Sequence, residues 1–154
     1  MDVSIIDYSP KFKPLILDLF EKTFHKKLSQ EFWNWRFENN PFGRLVIRYM
    51  LKDKELSGTY ITHPVKIESK NNINSGLFSM WTVTNPIFEK KGIMTLLANE
   101  VYNTANKKNN FVIGFSNETS HHMFVKKLGF KSLGLMKEMI LELPIKISKN
   151  NSKI

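Results

Sequence analysis

The chain contains no cysteine. Disulfide frameworks, thiolate nucleophiles and cysteine-held metals are excluded together. Arginine is almost as scarce: of 23 basic residues only Arg36, Arg44 and Arg48 carry a guanidinium, the planar fork suited to bidentate recognition of bases and phosphates. No apolar run approaches the roughly 20 residues needed to span a bilayer. The opening MDVSIIDYSPKFK lacks the basic start, apolar core and small-residue cleavage site of a signal peptide, so the expected setting is the cytoplasm, with no membrane partner. Glycine is sparse too, at seven residues in 154, which gives weight to each place where one stands.

What remains is a chain sized for one domain, able to bury about two thirds of its unfolded surface. Its hydrophobic share of 42% and its dispersed Trp and Phe residues fit a folded core rather than disorder. The formal net charge of +9 comes from lysines scattered among Asn and Ile, and reads mostly as solvated surface. Such a surface attracts polyanions, whether RNA or a phosphorylated cofactor. A nucleic-acid surface would interleave aromatics and arginines along a strand; the aromatics here fall mostly at core spacing, which disfavours that partner. Residues 1–145 are expected to form the domain and 146–154 a flexible tail.

Hydropathy periods order the elements. VSIIDYS (3–9) reads as a strand. Pro10 opens a helix whose Phe12, Leu15, Ile16, Leu19, Phe20 and Phe24 keep i, i+3, i+4 spacing. Ser29 caps a second helix that Pro41 and Gly43 end. Residues 44–53 and 55–68 read as a hairpin turning at Asp53-Lys54, 70–75 as a flexible Asn-rich tip and 76–84 as a third long strand. Ile93, Leu96, Leu97, Val101 and Ala105 form a helical stripe. FVIGFS (111–116) suits a buried central strand. A helix then runs from Asn117 to Gly129, a good αL terminator, and 130–145 has strand character. The result is a mixed α/β order in which 76–84, the following helix and 111–116 form a right-handed strand–helix–strand unit.

The stretch NPIFEKKGIMTLL (85–97) carries the most chemistry. A helix that starts directly after a strand exposes unpaired N–H groups and the positive end of its dipole. Gly92 admits a ligand close to that backbone, and Lys90 and Lys91 add charge beside it. This is a phosphate cradle, or else a glycine that only eases the turn.

Residues 81–130 resemble the coenzyme-binding core of the GNAT superfamily of N-acetyltransferases, proteins of the acyl-CoA N-acyltransferase fold. That family has V/T-x-P-x-x-R/Q-x-x-G-x-G/A between strand and helix, where this chain has Thr84-Asn85-Pro86-Ile87-Phe88-Glu89-Lys90-Lys91-Gly92-Ile93-Met94. Downstream the family has N-x-x-S/A-x-x-x-Y-x-k-x-L-G-F, and here Asn117, Ser120, Phe124 and Leu128-Gly129-Phe130 keep the spacing. The resemblance implies a single-domain, mostly antiparallel sheet whose central parallel strand pair splays for CoA, flanked by about four helices. It implies acetyl-CoA as co-substrate, with no metal, and transfer of the acetyl group to a primary amine of a small molecule such as an amino sugar or polyamine, by direct attack in a ternary complex. The backbone of Thr82, Val83 and Thr84 would pair with the pantetheine arm. The amides of Lys90, Lys91, Gly92, Ile93, Met94 and Thr95 would hold the pyrophosphate, with Glu89 at the same coenzyme site, and Asn117, Ser120 and Phe124 would line the cleft. The resemblance admits a homodimer through the last strands.

Departures from the pattern shape the expectation. Glu89 stands where Arg or Gln is usual and Met94 where a small residue is. Phe124 replaces the tyrosine that in many members returns a proton to the departing thiolate. Attack by an amine needs a base, and strand 76–84 carries no acid; His63 and Glu68 on the preceding strand are the candidates, although His63 also suits a turn before Pro64. His25, His121 and His122 lack metal-ligand spacing. Phe32, Trp33 and Phe37 fall at core spacing, whereas Trp35 and Arg36 are placed to touch the acceptor. The alternative reading is a catalytically weak GNAT-like module that binds CoA or a partner.

Overall fold

The computed structural model describes residues 3–41, 43, 45–52, 55–70, 72–105 and 111–137. In chain order these form β1 (Val3–Asp7), α1 (Lys13–Phe24), α2 (Gln30–Trp33), β2 (Val46–Lys52), β3 (Glu55–Ser69), β4 (Asn72–Thr84), α3 (Ile93–Ala105), β5 (Phe111–Gly114) and α4 (Glu118–Lys127). A 3-10 turn at Pro10–Phe12 leads into α1, and α2 runs on into a wide π-type turn at Asn34–Glu38. The strands follow sequence order across one sheet, antiparallel from β1 to β4 and parallel between β4 and β5.

Alternation along the strands sends successive side chains to opposite faces, and each face acquires its own helices. Ile47, Tyr49, Ile61 and Val83 meet Ile16, Leu19 and Phe20 of α1 with Trp33 and Phe37 beyond it. Met50, Tyr60 and Leu77 meet Ile93, Leu97, Ala98 and Val101 of α3. Each buried Leu, Ile, Val or Phe contributes about 1.5–3 kcal/mol, so the two stripes hold the layers together. The π turn keeps aromatics in register: Trp33 and Phe37 both face the sheet, with ring centroids 4.4 Å apart.

Two irregularities shape β3 and β4. Ser57 is an extra residue opposite the Met50/Leu51 step; its hydroxyl donates to Met50 O at 3.0 Å, and its carbonyl accepts Asn85 N at 3.0 Å. On β4, Trp81 and Thr82 together oppose the single residue Tyr60, and Trp81 has φ +53°. This β-bulge re-aims side chains where the strand leaves its neighbour.

The element order agrees with the sequence reading, with three differences. The expected flexible tip at 70–75 is narrower: Asn72–Ser75 already pair with Lys66–Ser69, and the turn bends at Lys70, φ +44°. Asn is poor in strands by propensity, and pairing with β3 overrides that. The 111–116 run was expected to be a buried central strand. Among the described residues β5 is the last strand of the sheet, with Ile113 36% and Phe115 70% exposed; residues 138–145 of the strand expected beyond it lie outside them. Residues 130–137 hold no strand; the remainder of the expected closing strand, the 146–154 tail and the Asp53-Lys54 turn lie outside the described residues.

Candidate active site

The parallel pairing of β4 with β5 runs from Gly76/Phe111 to Ser79/Gly114 and stops. β4 continues through Thr84 while β5 ends, so past Ser79 the β5-facing edge of β4 is released. Gly114 makes the last contact tight: a Cβ there would lie 3.2 Å from Ser79 O. A cleft of about 590 Å³ opens at this parting, large enough for a small-molecule substrate.

Met80, Trp81 and Thr82 of the freed strand form the floor. Trp81, turned by the bulge, packs on Phe20, Phe32 and Phe37 at 5.4–5.9 Å between centroids. The end of α1 and its following loop supply one wall through Phe20, Phe24, Lys26 and Leu28; Phe115, Asn117, Ser120 and Phe124 supply the other. His25 closes α1 in αL geometry, φ +54°. Asn117 caps α4, its Oδ1 accepting Ser120 N at 2.9 Å and Ser120 Oγ at 2.7 Å. Among the described residues Lys26 is the one charged side chain lining the cleft.

The 85–92 turn follows the freed strand. Asn85 caps the 3-10 turn at Pro86–Phe88 and anchors it to β3 through Leu56 O at 3.2 Å. Lys90 and Gly92 have φ of +60° and +74°. Gly92 O accepts Leu96 N at 3.1 Å as the first bond of α3, and no atom lies within 4 Å of where its Cβ would stand. The helix therefore presents its first amides, with their partial positive charge, to open space. Lys91 folds back, its Nζ on Ile87 O at 3.2 Å and over the Phe88 ring, while Glu89 and Lys90 are exposed.

The sequence-selected residues therefore divide by place. Thr82, Asn117, Ser120 and Phe124 line the cleft. Val83 and Ile93 bury their side chains in the core, so only their backbones are available to a ligand. Thr84, Met94 and Thr95 are half-buried. Arg36 reaches the underside of the floor, donating from Nη2 to Met80 Sδ at 3.4 Å; Trp35 is 66% exposed and packs on Phe32. His63 lies directly across from Phe78 on the floor side of the sheet and is buried, its Nδ1 2.7 Å from Asn40 Nδ2. Its Nε2 has no hydrogen-bond partner among the described residues. Burial, then the nearby Arg36, pushes its pKa down to about 4, so the imidazole is neutral at pH 7. Glu68 pairs with Ile73 near the hairpin tip, five residues from His63 along β3, and is not brought to the cleft. Phe20, Phe24, Lys26, Leu28, Ser79 and Phe115 escaped the sequence reading. The two Phe residues of α1 keep core spacing, and no local pattern tells a cleft wall from a core.

No family model matches the sequence, and no curated protein matches it either. Solved structures do match. An acetyltransferase from Trypanosoma brucei superposes with a TM-score of 0.72 at 19% identity, covering 92% of this chain and 100% of that one. An aminoglycoside 6'-N-acetyltransferase from Acinetobacter baumannii gives 0.72 at 14% identity, covering 93% and 100%. A predicted acetyltransferase from Clostridium acetobutylicum, solved with acetyl-CoA, gives 0.68 at 15% identity, covering 93% and 96%. The chain has the acyl-CoA N-acyltransferase fold of the GNAT acetyltransferases.

Proposed function

We propose, with the acyl-CoA N-acyltransferase fold as premise, that this protein transfers an acetyl group from acetyl-CoA to a primary amine of a small molecule. One observation carries the reading: the β4–β5 ladder ends at Ser79/Gly114, leaving a strand edge that leads straight to exposed amides at Gly92. In this reading Thr82–Thr84 offer backbone groups to the pantetheine arm as an added strand would. The first amides of α3, with Lys90, hold the pyrophosphate. A backbone N–H of the bulged β4 polarises the acetyl carbonyl. Asn117 and Ser120 border the arm on the α4 side, and Arg36, through Met80, with Trp35 at the outer rim, borders the acceptor. His63, neutral and with Nε2 uncommitted, is the group on the floor side able to take the amine's proton once Met80 or a water yields. The residues present fit the coenzyme: the cradle is open where a Cβ would block it, and its lysines outweigh the single exposed Glu89.

The second reading, a CoA-binding module with little turnover, is favoured by Phe124, which offers the leaving thiolate no proton, and by the lack of a carboxylate lining the cleft among the described residues. Thermal unfolding with acetyl-CoA, combined with thiol release across a panel of primary amines, decides between them. The transferase reading expects stabilisation by roughly 5 °C or more at a hundredfold excess over Kd, together with amine-dependent thiol release. Stabilisation without release supports the module. Gly92→Glu, which places a carboxylate in front of the amides at a positive φ, is expected to abolish the shift; a Gly92→Glu protein stabilised like the wild type would overturn the cradle.

A further inference from the structure

At the point where β4 and β5 part, a chain of three hydroxyls runs from the cleft into the protein. Ser79 lines the cleft and is otherwise buried. Its Oγ lies 2.7 Å from the Tyr60 hydroxyl, which lies 2.6 Å from the Tyr102 hydroxyl, and in each pair either oxygen can donate. Tyr60 is fully buried; Tyr102, on α3, is half-buried. The rings brace one another, Tyr60 on Tyr102 at 5.9 Å, Tyr102 on Phe130 at 6.2 Å and Phe130 on Phe124 at 5.1 Å. The chain therefore approaches the cleft from the side on which the Phe124 ring contributes only carbon.

Other hydroxyls border the cleft, but Ser120 is committed to Asn117 as part of the α4 cap. Among the described residues lining the cleft, Ser79 is the hydroxyl coupled to further buried donors. Packing does not require this arrangement: phenylalanine at 60 and 102 with alanine at 79 would fill similar volume without polar atoms to satisfy. Burial raises the Tyr60 and Tyr102 pKa values, so both keep their protons at pH 7 and act as conduits rather than as anions.

We propose that Ser79, supplied through Tyr60 and Tyr102, is the proton donor to the thiolate that leaves when acetyl-CoA is consumed. The inference rests on the transferase reading above. As the C–N bond forms and the C–S bond breaks, sulfur takes the Ser79 proton with its released electron pair. Ser79 is refilled from Tyr60, Tyr60 from Tyr102 and Tyr102 from water, while the nitrogen gives its proton to His63, the base of that reading. One proton leaves and one enters, so the balance closes. Ser79 is the catalytic residue of this step; Tyr60 and Tyr102 are positioning residues.

The test compares wild type, Ser79→Ala, Phe124→Tyr and the double variant, with 2-phenylethylamine as acceptor probe. Ser79→Ala is expected to lower kcat about 10²-fold with KM for acetyl-CoA unchanged. Phe124→Tyr in the Ser79→Ala background is expected to recover at least tenfold, because a hydroxyl then reaches the same sulfur from the Phe124 ring position on that side of the cleft; a merely structural Ser79 would not be rescued there. An equilibrium readout stands beside activity. The thiol of bound CoA, titrated by its thiolate absorbance, is expected to ionise about one unit higher in Ser79→Ala, which has lost a hydrogen bond to the charged form, and to return in the double variant. Wild-type kcat and an unshifted bound thiol in Ser79→Ala would overturn the proposal and leave the transferase reading intact. A wild type that is stabilised by acetyl-CoA yet releases no thiol would overturn both while sparing the CoA site.

Discussion

His63 shows how a single side chain can be set by what surrounds it. Its ring packs on Phe37 at 5.7 Å, Asn40 bonds Nδ1, Phe78 lies across the ladder and the Arg36 cation stands nearby. Burial is the largest cause of its pKa falling from 6.5 to about 4, and the Arg36 cation adds to it. The folded-state value lies below the unfolded one, so between the two the unfolded chain binds more protons and stability rises with pH. The contribution is fully present above about pH 6.5 and is lost as pH drops toward 4. By pH 4.5 the loss is about 2 kcal/mol. Urea midpoints measured at pH 7 and pH 4.5 should show this loss for the wild type and little of it for His63→Gln; equal losses in both proteins would mean that His63 does not titrate as described. The same low pKa keeps an unprotonated nitrogen behind the cleft floor across the neutral range, at the expense of basicity.

Among the elements, the seating of α3 on β3 links stability to ligand binding. Gly58 permits the approach: a Cβ there would lie 3.0 Å from Ile93 Cγ2 and 3.1 Å from Val83 O. Ile93 is the first residue of α3, directly after Gly92, so a methyl at 58 pushes on the turn that presents the amides. Gly58→Ala is expected to cost about 1–3 kcal/mol by overpacking and to weaken acetyl-CoA binding several-fold without touching the ligand. Calorimetry at saturating and zero acetyl-CoA checks both; unaltered affinity with lowered stability would separate the helix seat from the cradle. This seat also marks where legibility in the sequence ends. The α1 and α3 stripes, the Asn117 cap and the glycine turn are local patterns, so short stretches reveal them. The Trp81–Thr82 bulge, the end of the β4–β5 ladder at Ser79 and the depth of His63 depend on pairing between residues 15 to 35 apart in the chain. Alternation in MWTVT gives no sign that Trp81 turns. The same limit hid Ser79: a serine within a strand gains its partner Tyr60, and through it Tyr102, only when three elements close together.

For the whole molecule, charge sets what can enter. The chain carries a formal +9; Lys26 stands in the cleft wall and Arg36 lies beneath Met80, while the remaining described walls are largely Phe, Trp, Leu and Met. A coenzyme with several phosphates is drawn toward such a surface, but an acceptor with several ammonium groups meets like charge in a low-dielectric slot. One additional cation about 7 Å from Lys26 costs roughly 1–2 kcal/mol at an effective dielectric near 20–40, about a tenfold loss in kcat/KM. Under the transferase proposal the cleft is therefore expected to favour acceptors that offer one amine on an aromatic or apolar body, or one bearing an anionic group for Lys26 to meet. At low ionic strength 2-phenylethylamine should exceed spermidine in kcat/KM by at least tenfold. Raising salt to 0.5 M should narrow that gap while weakening acetyl-CoA binding, since both effects are screened over similar distances. Lys26→Ala should narrow the gap at low salt and leave the affinity for acetyl-CoA nearly unchanged, because Lys26 lines the cleft from the loop after α1 rather than from the Gly92 turn. A polyamine used as well as the aromatic amine at low salt would overturn this charge argument.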